Sequence, residues 1–292
     1  MSHDLTLASK YDPADSIAVP DDGDDLDAVV VAVLFQTALN RTDLAKDGLL
    51  ARVAWSGDLS VDAGGSNTSF AVNVGAIFQL VNASSSIVRV GSAAATTIGL
   101  SKTEGPLANL ANSTWYYVYA FMSGGSVDYA ISSTPPLASR RTKSGDSTRA
   151  YLGCFRTDSS GAPLPMFAVR GRNVYRRSAV TTTLEALRIT SASAGPTDLT
   201  LAPGGSGTTL VPPHARIALL ALQVGGSTGP NSLSVVTRGD TADNGLFVGS
   251  SDGQTMESQG ELIADSNQAV SYTWSRGGSS GAGVVIVCGF LE

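Results

Sequence analysis

The sequence predicts a mainly β protein, in which an N-terminal arm and helix precede two antiparallel β-sandwich-like domains. From residue 50 onward, short apolar runs alternate with clusters of Gly, Ser, Asn and Asp, the pattern of strands joined by turns. The chain of 292 residues contains 32 glycines, and only 15% of its residues are charged. Because an ordinary globular domain has roughly 25% charged residues, the composition favours strands, tight turns and low-charge contact surfaces.

Residues 1–49 form the first predicted unit, an acidic arm followed by a docking helix. Pro13 and Pro20 interrupt regular structure in the arm, and its aspartates repel one another. We therefore expect residues 1–23 to be irregular and to be held by a neighbouring chain.

A helix is predicted over residues 24–47. Asp24 or Asp25 can cap its N-terminus, Arg41 and Lys46 suit its C-terminal end, and Gly48 follows as a terminating residue. Because the segment is apolar on nearly all sides, it must be buried on more than one side. A buried strand is the competing interpretation, since the segment is rich in β-branched residues, but the capping residues favour a helix. The expected docking residues are Leu26, Val30, Val33 and Phe35.

Residues 50–179 are predicted to form a middle β domain. The segment Ser123–Ser126 contains two glycines and is predicted to be a hairpin turn. A loop is expected from Pro135 to Asp146. The predicted strands are Ser69–Leu80, Ser86–Val90, Trp115–Met122, Val127–Ser132, Tyr151–Arg156 and Phe167–Val174.

Residues 180–292 are predicted to form a C-terminal β-sandwich domain. Its last apolar run, Val284–Cys288, is apolar on both faces and is expected to be a central or interface strand. The predicted strands are Leu184–Ile189, Ile217–Val224, Leu233–Thr237, Glu261–Ala264, Ala269–Trp274 and Val284–Phe290.

Charge and hydropathy exclude several classes of partner. The net charge of −6 and the pI of about 4.9 argue against nucleic-acid binding, which needs a basic surface. No apolar run reaches the roughly 18–20 residues of a membrane span, so we expect no membrane insertion. The polar and acidic first residues do not predict a secretion signal, so Cys154 and Cys288 are expected to be buried thiols in a reducing compartment.

The residues that carry enzymatic chemistry are scarce, so we predict that the protein is not an enzyme and has no cofactor or metal site. Its two histidines are His3 and His214, and no Cys pair or His pair has zinc-ligand spacing. The segment Gly277–Gly281 matches a nucleophile pattern, but no helix is predicted after it. A pair of carboxylates brought together by folding stays open, which keeps a polysaccharide-degrading enzyme as the third interpretation.

One stretch of the chain is strongly basic, opposite in sign to the arm. This asymmetry would suit contacts in which the basic patch of one subunit binds the acidic arm of another. There are two alternatives: a solvated basic face without a partner, and a site for an anionic glycan. The expected docking residues are Arg170, Arg172, Arg176 and Arg177, within a set that also includes Arg140, Arg141, Lys143, Arg149 and Arg156.

Three parts of the sequence resemble proteins of tailed-phage particles. The order of Thr114–Tyr119, Ile131–Pro136 and Tyr151–Gly161 is similar to a β module of phage fibres. The first resemblance is in Val19–Gly23 with Phe35–Thr42, and the last is in Val211–Leu220 with Gly289-Phe290. The family implies a structural role in the virion, commonly as a trimer, and it carries over no catalytic residue.

The sequence therefore leads to a functional hypothesis. The chain is expected to be a structural part of a phage particle, assembled in the bacterial host cytoplasm, in the tail fibre, baseplate or head. Its partners would be copies of itself, other virion proteins and a host-surface glycan. The alternative is a carbohydrate-binding adhesin or receptor-binding module, which would need exposed indoles at Trp55, Trp115 or Trp274.

Overall fold

Antiparallel strands make up most of the described chain, as the composition predicts. Among these residues, one helical segment occurs, a 3₁₀ turn at Leu100–Lys102, and no helix has the length and apolar character to cross a membrane. The fold comes from a computed structural model that describes residues 2–6, 16–20, 54–55, 57–62, 65–81, 87–105, 108–137, 142–169, 171–175, 186–189, 196–202, 208–226, 229–239, 245–251, 254–277 and 281–292.

The arm contains two paired strands, β1 (Ser2–Thr6) and β2 (Ser16–Pro20). The expectation of an irregular arm is therefore wrong for these two segments. The predicted helix over residues 24–47, with its docking residues Leu26, Val30, Val33 and Phe35, lies outside the described residues.

The middle of the chain contributes the next strands. They form a four-stranded sheet in the order β10-β9-β12-β11, a three-stranded sheet in the order β3-β6-β7, and part of a larger sheet. Their bounds are β3 (Ala54–Trp55), β4 (Asp58–Val61), β5 (Val72–Val74), β6 (Ile77–Val81), β7 (Ile87–Ala93), β8 (Thr96–Ile98), β9 (Trp115–Ser123), β10 (Ser126–Ser132), β11 (Thr142–Lys143), β12 (Asp146–Arg156), β13 (Met166–Val169) and β14 (Arg172–Tyr175).

The predicted hairpin turn between β9 and β10 is confirmed. Ser123 pairs with Ser126, and the two central residues have positive φ, 56° at Gly124 and 84° at Gly125. Two successive residues in the left-handed region define the turn that matches the twist of a hairpin, and glycine adopts it without steric cost.

Two predicted strands are each divided in the structure. Phe167–Val174 is the hairpin of β13 and β14, where Gly171 has a φ of 82° and Val169 pairs with Arg172. The run from residue 69 to residue 80 is broken at Gly75, whose N–H bonds to the carbonyl of Asp58 at 2.7 Å. There the chain leaves one sheet, as β5, and enters another, as β6.

The last eight strands form two antiparallel sheets. One has the order β15-β22-β17-β20 and the other has the order β16-β21-β18-β19. Their bounds are β15 (Ala186–Ile189), β16 (Thr197–Thr200), β17 (Ile217–Gly225), β18 (Asn231–Thr237), β19 (Leu246–Ser250), β20 (Met256–Ile263), β21 (Ala269–Arg276) and β22 (Ala282–Leu291).

This strand order is that of an eight-stranded jelly roll, in which two Greek keys fold into a sandwich. The inner faces of the two sheets meet through large side chains that lie on glycines. The indole of Trp274 lies against Gly283, where an added Cβ would be 3.0 Å from its ring, and Leu246 lies on Gly260 in the same way. The β-sandwich prediction is confirmed for this part of the chain.

Strand β22 is central, as the apolar run predicts. It pairs with β17 along one edge, and with β15 and then β14 along the other. The close approach at its end requires Gly289, because a Cβ there would lie 2.0 Å from the carbonyl oxygen of Asn173.

Through this pairing, one sheet of nine strands contains strands from both predicted β domains. Its path runs from β20, β17 and β22 to β14, β13, β4, β5 and β8, with β15 beside β22. The predicted boundary near residue 180 falls between described segments, so the domain ranges 50–179 and 180–292 stay a prediction.

Side chains also connect the β10-β9-β12-β11 sheet to the jelly roll. Trp115 packs edge-on against Phe290, with ring centroids 5.5 Å apart, and its indole N–H donates to the carbonyl of Thr209 at 3.0 Å. A further link comes from β14 of the nine-stranded sheet, where Tyr175 OH donates to the carbonyl of Leu210 at 2.7 Å. The buried apolar residues of both regions thus form one continuous core.

Candidate functional site

Of the residues expected to dock the chain in an assembly, one basic residue is described. Arg172 begins β14, and its side chain is 58% exposed and donates to Glu261 Oε1 at 3.1 Å. This ion pair links β14 to β20 across the two strands between them. Arg170, Arg176 and Arg177 lie outside the described residues, as do Leu26, Val30, Val33 and Phe35.

Three further members of the basic stretch are described, Lys143, Arg149 and Arg156, and each binds acceptors within the chain. Lys143 and Arg149 both pair with the carboxylate of Glu104, and Arg149 also pairs with Asp146 at 3.0 Å. Arg156 is only 1% exposed and donates to the carbonyl of Thr208 at 3.1 Å. These cations therefore act within the chain, and for them the expectation of a basic contact face is wrong.

On the outer face of one jelly-roll sheet, six neighbouring residues are uncharged, and we call this part of the face the serine face. Its first row crosses three strands with Phe247, Ser234 and Thr273 side by side. The second row has Gly249, Ser232 and Ser275 in the same order. None of the six residues carries a charge, whereas outward strand residues are usually polar and often charged.

Phe247 is the most exposed apolar residue of this face, with 63% of its surface accessible. It lies on β19, which ends its sheet within the described part of the chain. The neighbouring edge of the other sheet is β20, where Ile263 is 55% exposed and Met256 is 44% exposed. Edge strands with exposed apolar side chains are the usual places where a second chain attaches.

An ion-paired group on the same sheet is centred on Arg238. Arg238 belongs to an Arg-Gly-Asp sequence, and its guanidinium pairs with Asp198 at 2.7 Å and Asp265 at 3.1 Å. Asp198 lies on β16, and Asp265 lies in the turn after β20. The tripeptide's arginine is thus engaged within the chain.

The indoles that a glycan site would use are buried in two of three cases. Trp115 is 6% exposed and Trp274 is 1% exposed. The side chain of Trp55 lies outside the described residues. Sugar rings stack on exposed aromatic faces, so Trp115 and Trp274 act as core residues.

A second candidate site is a buried polar cluster of Tyr151, Cys154, His214 and Glu292. Tyr151 and Cys154 are three residues apart on β12, and in a regular strand they would point to opposite faces. The pairing of β12 with β9 shifts register between Tyr151 and Gly153, which indicates a β-bulge. The extra residue brings both side chains to the same side.

His214 and Glu292 reach the cluster from the jelly roll. His214 lies in a turn closed by the N–H of Ala215 and the carbonyl of Pro212 at 3.0 Å, with Pro213 at the position where its fixed φ suits a turn. Glu292 follows β22 directly, and its N–H donates to the carbonyl of Gly171 at 2.9 Å.

Three side chains converge on one carboxylate oxygen, Oε1 of Glu292. Tyr151 OH donates to it at 2.7 Å and Cys154 Sγ donates at 3.3 Å, while His214 Nε2 is also 3.3 Å away. Cys154 is fully buried, and the His214 and Glu292 side chains are 8% and 10% exposed. Such convergence in a buried place concentrates ligand atoms and charge at one point.

The electrostatics of the cluster argue against a nucleophilic cysteine. Burial, and then the charge of Glu292, raise the pKa of the Cys154 thiol well above its usual range. The same two causes, with a further contribution from Cys154, raise the pKa of the Tyr151 hydroxyl. A cysteine nucleophile needs the opposite shift, so this thiol is not poised to attack a substrate.

The sequence predicted Cys154 and Cys288 as buried thiols, which is confirmed for Cys154 and wrong for Cys288, which is half-buried. It assigned no role to His214. The cluster was missed because its members are far apart in the sequence: Tyr151 is 63 residues from His214 and 141 residues from Glu292. The bulge that aligns Tyr151 with Cys154 also leaves no spacing pattern in the sequence. The local sequence offered one indication: His214 follows Pro212 and Pro213, which restrict the backbone that carries the imidazole.

Comparison of the sequence with models of known protein families gives no match, and comparison with curated proteins gives no significant match.

Proposed function

We propose that this chain is a structural subunit that acts by associating with copies of itself, as a component of a tailed-phage particle. The observation that carries the proposal is the serine face with its exposed Phe247. The fibre-like order of motifs in the middle of the chain supports the phage setting. The jelly roll is compatible with it, because viral capsid domains use this architecture, although lectin domains do so as well.

The serine face has the physical properties of a contact surface. Covering an exposed phenylalanine contributes about 1.5–3 kcal/mol, and small hydroxyl side chains can exchange water for hydrogen bonds across a contact. The centres of protein interfaces are depleted of charged residues and enriched in aromatic ones. The serine face has no charged residue and contains the aromatic Phe247, whereas serine itself is depleted at interfaces, so its likeness to an interface depends on the first two features.

The edges of the sandwich support the same function. Phe247 lies on the edge strand β19 and Ile263 lies on the neighbouring edge strand β20. A second copy that covers β19 and β20 would remove both apolar side chains from water and satisfy unpaired backbone groups of the edges. We propose three copies around one axis, as in the fibre proteins that the sequence resembles, with other virion proteins as further partners.

We propose no catalytic role for the chain. The histidine–cysteine pair of the buried cluster has a thiol whose pKa is raised by burial. We also do not propose glycan binding through Trp115 or Trp274, because both indoles lie in the core.

The proposal is tested by the mass of the full-length protein in solution, measured by light scattering. We expect a trimer, and we expect Phe247→Asp to lower the mass because a buried carboxylate opposes the contact. Phe167→Asp is the matched control, since Phe167 is also an exposed phenylalanine, at 42%, but lies on β13 outside the jelly roll.

Three results would contradict this assembly: a monomeric wild-type protein, a Phe247→Asp variant of unchanged mass, or equal effects of the two variants. The phage setting has a separate test. Antibodies against the chain should label assembled particles of the phage that encodes it, in electron micrographs, and unlabelled particles would contradict the virion role.

A further inference from the structure

The cluster of Cys154, His214 and Glu292 contains three kinds of side chain that bind transition metals. We propose that these residues bind one thiophilic divalent ion, with Zn²⁺ as the first candidate. The ligand atoms are Cys154 Sγ, His214 Nε2 and Glu292 Oε1, which all lie within 4.8 Å of one another. Nitrogen, sulfur and carboxylate oxygen together are a ligand set typical of zinc.

Two of the three distances between ligand atoms are close to those of a tetrahedral site, and the third, between Cys154 Sγ and His214 Nε2, is within 4.8 Å. Zinc lies about 2.3 Å from sulfur and about 2.0–2.2 Å from nitrogen and oxygen, which separates neighbouring ligand atoms by roughly 3.3–3.7 Å. Glu292 Oε1 is 3.3 Å from His214 Nε2 and 3.3 Å from Cys154 Sγ. Ligation therefore needs only small movements of these side chains.

The charges of the cluster also suit a divalent cation. Binding replaces the thiol proton of Cys154, which leaves to solvent, so the ion faces a thiolate, a carboxylate and a neutral imidazole. Two negative charges then balance the two positive charges of the ion in a place where Cys154 is fully buried. Because binding displaces the thiol proton, we expect weaker binding in acid.

The imidazole of His214 is enclosed by the protein. Its side chain is 8% exposed, and its Nδ1 atom is buried without a hydrogen-bond partner among the described residues. Coordination through Nε2 would place the imidazole proton on Nδ1, where it would be a donor without an acceptor among those residues. The metal site is therefore inferred from the convergence of Cys154 Sγ, His214 Nε2 and Glu292 Oε1.

The surroundings of the imidazole complete the site. The rings of Tyr117 and Tyr151 lie 5.6 and 5.7 Å from the His214 ring, centroid to centroid, and restrict its orientation. Tyr151 OH, which donates to Glu292 Oε1 at 2.7 Å, is an outer partner of a ligating carboxylate. Three protein ligands leave the fourth position for a water molecule.

The proposed ion would connect parts of the fold that are distant in sequence. Cys154 lies on β12, His214 lies in the turn before β17, and Glu292 follows β22. An ion bound to all three would tie the β10-β9-β12-β11 sheet to the jelly roll. The ion would hold these parts of the fold together, and its binding would not depend on how many copies of the chain associate.

Cobalt binding to the full-length protein tests the proposal. After treatment with a chelator, titration with Co²⁺ should give one ion per chain, intense visible bands of tetrahedral cobalt, and a near-ultraviolet thiolate-to-cobalt band that Zn²⁺ abolishes. Cys154→Ser should lose the thiolate band and bind at least tenfold more weakly. Cys288→Ser is the matched control and should behave as the wild type, since its sulfur lies 3.9 Å from the carbonyl of Ile286, away from the cluster.

Loss of the outer partner has an intermediate effect. Tyr151→Phe should keep the thiolate band and weaken binding by about 10–100-fold, the range for removal of an outer-shell hydrogen bond. A wild-type protein without the thiolate band, or a band that persists in Cys154→Ser, would overturn the proposal.

X-ray absorption at the zinc edge tests the same site in the wild-type protein, so it does not depend on the folding of a variant. We expect one sulfur neighbour at about 2.3 Å, with the remaining neighbours nitrogen or oxygen. A zinc shell with no sulfur, or no zinc retained after dialysis, would show that the cluster is an ion-free hydrogen-bonded network.

Discussion

At the scale of single residues, Glu104 illustrates how the fold uses its few charges. Lys143 and Arg149 both bind its carboxylate, and its N–H donates to the carbonyl of Ile131 at 2.8 Å. Desolvation raises the pKa of Glu104, but the hydrogen bond from Lys143, with Ser132 and Arg149, outweighs it and holds the pKa below its usual value. The charged form of Glu104 therefore stabilises the folded protein.

This depressed pKa predicts loss of stability in acid. The contribution of Glu104 is present above its unfolded pKa, near 4.5, and is lost as pH falls through its lower folded value. We expect Glu104→Gln to lower the free energy of unfolding at pH 7 and to differ less from the wild type at pH 3. Urea unfolding at a series of pH values measures this difference.

Glu261→Gln is the control for Glu104→Gln. Its carboxylate pairs with Arg172 on the surface, where the two side chains are 47% and 58% exposed. Exposed ion pairs contribute about 0–1 kcal/mol, so the control should change the unfolding free energy little at any pH. Parallel pH profiles for Glu104→Gln and the wild type would contradict the expectation.

At the scale of elements, the turn between β9 and β10 depends on two glycines in the left-handed region. Gly124 has a φ of 56° and Gly125 has a φ of 84°, and neither would place a Cβ within 4 Å of another part of the chain. The restriction at these positions is thus conformational, since space is available for a side chain. Asparagine tolerates this region better than other non-glycine residues, and β-branched residues do so least.

The turn predicts unequal effects of two substitutions. Gly125→Val should lower the free energy of unfolding by about 1–2 kcal/mol, the cost of a left-handed conformation at an L-residue. Gly124→Asn should stay within about 0.5 kcal/mol of the wild type. Chemical denaturation of the two variants measures both values, and equal losses would contradict the conformational explanation.

Two features of the fold depend on how strands pair and could not be predicted from single strands. The bulge in β12 aligns Tyr151 with Cys154, and the hairpin at Gly171 brings β14 beside β22. Both features follow from the partner strands, so the local pattern of residues 167–174 was compatible with one continuous strand.

At the scale of the whole molecule, the nine-stranded sheet makes the two predicted β domains interdependent. Three residues of β14, from Arg172 to Val174, pair with the end of β22. Trp115 adds an aromatic contact with Phe290 and a hydrogen bond to Thr209. Separation of the two regions would expose this junction and leave backbone groups of β14 and β22 unpaired.

This arrangement predicts a single cooperative unfolding transition for residues of both regions. Calorimetry of the full-length protein should show one main peak, with the calorimetric enthalpy equal to the van't Hoff enthalpy. Trp115→Ala should lower the free energy of unfolding by about 3–5 kcal/mol and shift the whole transition. Two separated peaks in the wild type would instead indicate independent domains.

The sequence by itself determined the strand-rich character of the chain, the hairpin at Gly124 and Gly125, and the central position of β22. These features depend on local properties: turn residues with positive φ and apolar runs that need cover on both faces. Only the tertiary structure decided which charges pair internally, that Trp115 and Trp274 lie in the core, and that Cys154, His214 and Glu292 meet. Such contacts join residues far apart in the chain, and their geometry depends on strand register and bulges, which a linear pattern does not contain.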